Sequence, residues 1–71
     1  MPNNTYKIVD VVGVSDQGID HAIRNALKKA GQTLRNIDWY EVGEIRGAVR
    51  NNVPEFQVAL RIGFRLEGDP V

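Results

Sequence analysis

A strict alternation of side chains near the C-terminus constrains this fold more than any other sequence feature. Every second residue is apolar, in the series Phe56, Val58, Leu60, Ile62, Phe64 and Leu66. A period of two predicts a β-strand with one apolar face. An extended segment precedes it, and the Asn51-Asn52 pair between them tolerates the left-handed backbone of a tight turn. The sequence therefore predicts a long hairpin with arms over about 37–50 and 53–67.

The N-terminal half predicts one strand and one helix. Tyr6 to Val12 is rich in β-branched residues, which favours a strand that ends at Gly13. A helix is predicted over 16–34, with Ser15 or Asp16 as its N-cap. Its apolar positions follow the three-four spacing of a single stripe: Ile19, Ala22, Ile23, Ala26, Leu27, Ala30 and Leu34.

The predicted element order is β-α-β-β, an α+β fold. A helical crossover brings the second strand back parallel to the first, so the compact arrangement has strand three in the centre. We predict a three-stranded antiparallel sheet curled over one helix, in a single domain spanning residues 1–71. Residues 1–5 are predicted to be a loose arm and 68–71 a tail. One face of the sheet is left with nothing in the chain to cover it, and we expect function there.

Composition excludes several classes of protein. The 71 residues include no cysteine and one histidine, so a disulfide framework and a histidine-rich metal site are excluded. The formal net charge is zero, which argues against nucleic-acid binding. No apolar run is long enough to span a membrane, and no signal peptide is visible, so we expect a cytoplasmic protein. A single core of this size supplies only roughly 3–5 kcal/mol, so oligomerisation is the expected support.

Catalytic chemistry has no candidate residues. His21 is predicted to be exposed, Ser15 is read as a cap, and one histidine without cysteine provides no nucleophile-base pair. We therefore predict that the protein is not an enzyme.

The chain resembles the dodecins, small flavin-binding proteins that assemble as hollow dodecamers. The resemblance spans about Tyr6 to Glu67. It is carried by the order and spacing of five stretches: YKIVDVVG from Tyr6, TLRNIDWYEV from Thr33, EIRG from Glu44, FQV from Phe56 and GFRLE from Gly63.

The resemblance implies a flavin site on four residues. Trp39 would stack on the isoalloxazine ring, and Gln57 would hydrogen-bond the uracil-like edge, which needs both a donor and an acceptor. Arg46 would lie near the flavin, and Asp38 would also contact it. The expected ligand is FMN or riboflavin, or FAD. The protein would store the flavin and quench its photochemistry within a homododecamer.

The resemblance also implies a second, smaller set of contacts. Some dodecins bind coenzyme A near the helix end and the last strand, where Lys29, Thr33 and Arg65 are the matching residues. Position 48 is Ala48 here, where some members carry a larger polar residue, so the pocket can differ.

A regular hairpin conflicts with this site. A two-residue turn pairs Arg46 with Gln57 but puts Trp39 on the face opposite to Gln57. A bulge near Gly43 or Gly47 would bring the two side chains to one face, or they could meet from different subunits. We expect one or both.

Other readings of these residues remain open. Trp39 could be ordinary core, and Gln57 a solvated surface residue. Arg61 is predicted to pair with Glu41, Glu44 or Glu55 of a neighbouring subunit. The alternative functions are a flavoenzyme and a structural oligomer that binds no flavin.

Overall fold

A computed structural model describes residues 3–67. Its elements are β1 (Tyr6–Ser15), α1 (Ile19–Ala30), β2 (Ile37–Arg50) and β3 (Val53–Arg65). The three strands form one sheet in the order β1-β3-β2, and both pairings are antiparallel. The predicted β-α-β-β topology with strand three central is confirmed. The predicted tail and the first two residues of the predicted arm lie outside the described residues.

β1 does not end at Gly13, as the sequence had suggested, but continues to Ser15. Gly13 lies directly beneath α1. A Cβ atom built there would be 2.1 Å from the carbonyl oxygen of Ala22 and 2.9 Å from the Cβ of Ala26. The absence of a side chain at Gly13 therefore allows the strand and the helix to approach closely, which is a common reason for a glycine inside a strand.

The predicted helix 16–34 is too long at both ends. It begins after Gly18, whose φ of 150° favours glycine, and no side chain caps its N-terminus. Ser15 is not the N-cap, because its hydroxyl accepts a bond from the Gln17 amide at 2.9 Å within the preceding turn. The helix ends at Ala30, and the amide of the C-cap residue Gly31 donates to the Leu27 carbonyl at 2.9 Å. No helix within residues 3–67 is long and apolar enough to cross a membrane.

The core lies between α1 and β3. Val58, Leu60 and Ile62 are fully buried there, against Ala22 and Ala26 of the helix. The two alanines let α1 sit close to the sheet. Within residues 3–67, the backbone of α1 lies close to β1 and β3 but not to β2. β2 reaches the helix only through side chains: Ile37 packs against the core, and Tyr40 lines a cavity of about 220 Å³ together with α1. The helix therefore covers two strands fully and the third only at its margin.

Two irregularities set which way the side chains of β2 point. Asn51 and Asn52 have φ of 51° and 63°, which confirms the tight left-handed turn. Pairing is regular from the turn to Ile45, opposite Val58, and resumes with Val42 opposite Leu60. Two residues of β2 therefore oppose one residue of β3 at this point, which is a β-bulge. A second shift follows between Ile37 and Trp39.

Candidate functional site

The sheet surface opposite α1 is called the open face here. On β3 it carries Gln57, Ala59, Arg61, Gly63 and Arg65, because the alternate residues of that strand face the helix. The bulge at 43–44 pairs Trp39 with Gly63, so Trp39 lies on the same face as Gln57. The bulge predicted near Gly43 is confirmed.

The indole of Trp39 lies against Gly63. A Cβ atom built on Gly63 would fall 2.2 Å from Cε2 of the indole and 2.3 Å from Cζ2. Only a glycine leaves room for the ring in this position. Trp39 remains 40% exposed, so its core interpretation does not hold within one chain. One side of the ring rests on β3 and the other is available for stacking.

Arg46 and Gln57 form the polar part of the open face. They are opposite each other across the hairpin, and Arg46 Nε donates to Gln57 Oε1 at 2.9 Å. Gln57 is half-buried rather than a freely solvated side chain. With Val12, Glu44 and Ala59 the pair lines a cavity of about 120 Å³.

Trp39 and Gln57 lie far apart on this face. Gly63, the β3 partner of Trp39, lies six positions after Gln57. At about 3.4 Å per residue, this separation is about 20 Å. A single three-ring heterocycle does not reach both side chains of one chain. The bulge alone thus does not complete a shared site.

Asp38 occupies the second irregularity of β2, between Ile37 and Trp39, without a partner on β3. Its carboxylate accepts a hydrogen bond from the Tyr6 hydroxyl at 2.8 Å. This bond, with a smaller cost of desolvation, raises the pKa of the Tyr6 phenol above 10.0. Tyr6, Asp38 and Arg65 line a polar cavity of about 450 Å³ at this end of the sheet.

Arg61 lies in the middle of the open face, between two acids of its own chain. It is 3.7 Å from Glu41 and 3.9 Å from Asp10. The expected partner Glu41 is therefore available without a neighbouring subunit. All three side chains are more than half exposed, so these pairs add little stability.

Comparisons with known proteins agree with this geometry. A family model described as Dodecin matches residues 5–67. The chain belongs to the dodecin family. It is 52% identical over 63 residues to a curated dodecin of Thermus thermophilus, covering 87% of this chain and 91% of that protein.

Solved dodecin structures have the same fold. The dodecin of Streptomyces davaonensis superposes with a TM-score of 0.88 at 46% identity, covering 93% of this chain and 98% of its own. The dodecin of Streptomyces coelicolor gives 0.89 at 47% identity, covering 97% and 100%. The resemblance seen in the sequence is confirmed at the level of the family and of the fold.

The seven predicted dodecin site residues fall into separate groups in one chain. Arg46 and Gln57 are bonded, and Asp38 and Arg65 share one cavity. Arg65 also lines a second cavity, of about 150 Å³, together with Thr33. Lys29 is exposed in the last turn of α1 and lines neither cavity.

Sequence reasoning gave no site role to two residues of this dodecin. Gly63 supports the indole ring, and a glycine inside an alternating strand is a recognisable sign of close approach. Tyr6 holds the Asp38 carboxylate across 32 residues of sequence. No local pattern indicates that contact.

Proposed function

We propose that this dodecin is a non-enzymatic flavin carrier that stores FMN or riboflavin and limits its photochemistry in a hollow homododecamer. The observation that carries the proposal is the indole of Trp39, supported by Gly63 on one side and exposed on the other. A flat aromatic surface of this kind stacks on a planar ligand, with about 0.5–1.5 kcal/mol beyond burial of area. Family membership adds the expectation of a flavin and of twelve subunits.

The polar groups near Gln57 suit the edge of a flavin. That edge presents an acceptor, a donor and an acceptor in its carbonyl, imide N–H and second carbonyl. Gln57 offers an amide NH₂ and a carbonyl oxygen, and the remaining guanidinium N–H groups of Arg46 are further donors. The pair can therefore supply donor, acceptor and donor to a single ligand edge.

We propose that each site is built from more than one chain. About 20 Å separates Trp39 from Gln57 along the open face of one chain, so a flavin that contacts both needs two subunits. Such an assembly would bury exposed apolar side chains on both faces of the sheet: Ile8, Val12 and Val14 of β1 on the open face, and Val42 and Ile45 of β2 on the opposite face.

Asp38 and Arg65 extend the proposal beyond the flavin ring. Asp38 adjoins Trp39 and is a candidate contact for the polar side chain of the flavin. Within residues 3–67, Arg65 has no carboxylate partner within 4.0 Å, and it lies between two cavities. Coenzyme A is the proposed second ligand, with its phosphates on Arg65 and contacts to Thr33 and Lys29.

The first test is an absorption spectrum of the purified protein, before and after addition of riboflavin or FMN, together with its mass in solution by light scattering. We expect a particle far heavier than the 7.9 kDa chain and a dark, bound flavin. A stable folded monomer at micromolar concentration contradicts the assembly. A colourless oligomer indifferent to flavin supports a purely structural role. A bound flavin that turns over a substrate supports a flavoenzyme.

Two substitutions then test the assigned residues. Gln57→Ala should leave the oligomer intact and weaken flavin binding by about 1–3 kcal/mol, because polar groups of the ligand lose their partners. With Trp39→Phe, bound flavin should be brighter and bleach faster, because indole is the readily oxidised group that quenches the excited ring. If Trp39→Phe breaks the oligomer and leaves flavin fluorescence unchanged, Trp39 is a core residue.

A further inference from the structure

The amide group of Gln57 lies between a cation and an anion. Arg46 Nε donates to its oxygen at 2.9 Å. Its nitrogen points towards Glu55 Oε1 at the longer distance of 3.5 Å. Reversing the amide would set two donors against each other at Arg46 and two acceptors at Glu55. Both neighbours therefore favour the same one of the two amide orientations.

Glu55 is itself held in place. Arg50 Nε lies 3.2 Å from Oε1 of the carboxylate and 3.3 Å from Oε2. Arg50 reaches it diagonally across the hairpin, a distance that long side chains cover between strands. The residue directly opposite Glu55 is Ala48, whose side chain has no polar atom to compete with Arg50. The Glu55 side chain is 22% exposed and that of Arg50 is 70% exposed, so the carboxylate is the more shielded member of the pair.

We infer that Glu55, held by Arg50, is a positioning residue that fixes the Gln57 amide. The amide then presents its NH₂ beside its carbonyl in the order that the uracil-like edge of a flavin requires. This inference rests on the proposed function and deepens it, since it names the residues that select the ligand edge. At 3.5 Å, the Glu55 carboxylate lies beyond the usual range of a hydrogen bond, so it acts on the amide through its charge and leaves the NH₂ donors free for a ligand.

The experiment compares riboflavin affinity in two variants that each replace one carboxylate with a neutral isostere. Glu55→Gln removes the anion beside Gln57. Glu41→Gln is the matched control. Glu41, on β2, also lies on the open face and also lies near an arginine, Arg61. Glu55→Gln should weaken riboflavin binding by about three- to tenfold, and Glu41→Gln by less than about twofold. Equal losses would overturn the inference, because they would indicate a general effect of charge.

A double-mutant cycle separates positioning from direct contact or damage to the fold. In the Gln57→Ala background, Glu55→Gln should have no further effect, because there is no amide left to orient. The same loss in both backgrounds would overturn the inference. Arg50→Gln, at the exposed end of the pair, provides a milder version in which a smaller loss of the same kind is expected. No loss with either Glu55→Gln or Arg50→Gln in a folded oligomer also overturns it.

A ligand-free measurement keeps the inference distinct from the proposed function. In a ¹⁵N NMR spectrum, the two amide protons of Gln57 should shift with Glu55→Gln and not with Glu41→Gln. If the parent protein binds no riboflavin, the proposed flavin function fails, and so does the role of Glu55 in selecting the ligand edge. The NMR shift still tests whether Glu55 orients the Gln57 amide. If the parent binds riboflavin and Gln57→Ala weakens it while neither the affinity nor the shift responds to Glu55→Gln, only the positioning role fails.

Discussion

The two neighbours of β3 have opposite surroundings. β1 lies on one side of it directly under α1, while β2 lies on the other side, farther from the helix backbone. Leu60 and Val42 are direct partners across the β3-β2 pairing, yet Leu60 is 1% exposed and Val42 is 40% exposed. On this face, β3 is therefore buried in the core, whereas its partner β2 leaves apolar side chains exposed.

This difference separates what one chain stabilises from what it leaves for partners. The buried residues of β3 and α1 form a core within one chain. β2 has exposed apolar residues on both of its faces, with Trp39 on one and Tyr40 and Ile45 on the other. A strand with two unburied apolar faces favours association, because burying such surface contributes about 25 cal/mol per Å².

The largest predicted effect tests the two sides of one strand pair. Leu60→Ala should lower the free energy of unfolding by about 2–5 kcal/mol, because it opens a cavity in a closed core. Val42→Ala should cost far less in any species that remains monomeric. Urea unfolding measures both. If Val42→Ala costs as much as Leu60→Ala and its midpoint depends on protein concentration, β2 is buried in the assembly. Equal costs without that dependence would contradict the contrast drawn here.

A glycine pair tests the same contrast through close packing. Gly13→Ala should destabilise the chain by about 1–3 kcal/mol, because its Cβ would overlap the backbone of Ala22. Gly47→Ala, on β2, is the control, since its Cβ would lie 3.4 Å from the nearest neighbouring atom, the Glu55 carbonyl oxygen. Thermal unfolding should show a clear loss of Tm for Gly13→Ala alone. A similar Tm for both variants would mean that α1 is not pressed onto β1.

Gly63→Ala should act on the ligand more than on the fold. If the Trp39 indole stayed in place, the new methyl group would lie 2.2 Å from its Cε2 atom. The ring must therefore move away from β3. We expect a loss of stacking of about 1 kcal/mol, roughly fivefold in flavin affinity. Tryptophan emission should change in the ligand-free protein as well. Unchanged emission would show that the ring does not rest on Gly63.

His21→Ala should have a smaller effect, confined to the helix-covered side. His21 is half-buried rather than exposed, and its Nδ1 lies 2.8 Å from the hydroxyl of Ser15, which is 8% exposed. Removing the ring leaves that hydroxyl with one partner fewer, at a cost of about 0.5–1.5 kcal/mol. Chemical denaturation measures it, with exposed Lys28→Ala as the control. Equal losses of unfolding free energy in the two variants would mean that the hydrogen bond between His21 and Ser15 does not contribute to stability.

The smallest predicted effect concerns Tyr6 and Asp38. The hydrogen bond to Asp38 raises the pKa of the Tyr6 phenol, so its contribution to stability is present below about pH 10 and is lost as the pH rises through the folded-state pKa. Asp38→Asn should lower that pKa towards its ordinary value. Ultraviolet titration of the phenol measures the change. The same midpoint in both proteins would contradict the contact.

The sequence predicted the hairpin, its turn, the central position of β3 and the family, because each depends on a local pattern or on ordered motifs. It misplaced the helix start, since Ser15 has the side chain of a cap but bonds to Gln17. It wrongly predicted that β1 ends at Gly13. A glycine that ends a strand cannot be distinguished in sequence from one that allows a helix to pack closely on the strand. It predicted a bulge without fixing its place between Gly43 and Gly47. The incomplete cover of β2 depends on where α1 lies, which no residue of β2 encodes.

The bulge between Val42 and Ile45 has a consequence for changes in chain length. Deleting Glu44 would leave a single β2 residue opposite Ala59, so the pairing would become regular while Trp39 stayed opposite Gly63 on the open face. Deleting a residue between Trp39 and Val42 would instead shift Trp39 by one position and turn its side chain to the helix side. Homologous chains that keep a tryptophan on the open face should therefore tolerate the loss of one residue at 43–44 more readily than at 40–41.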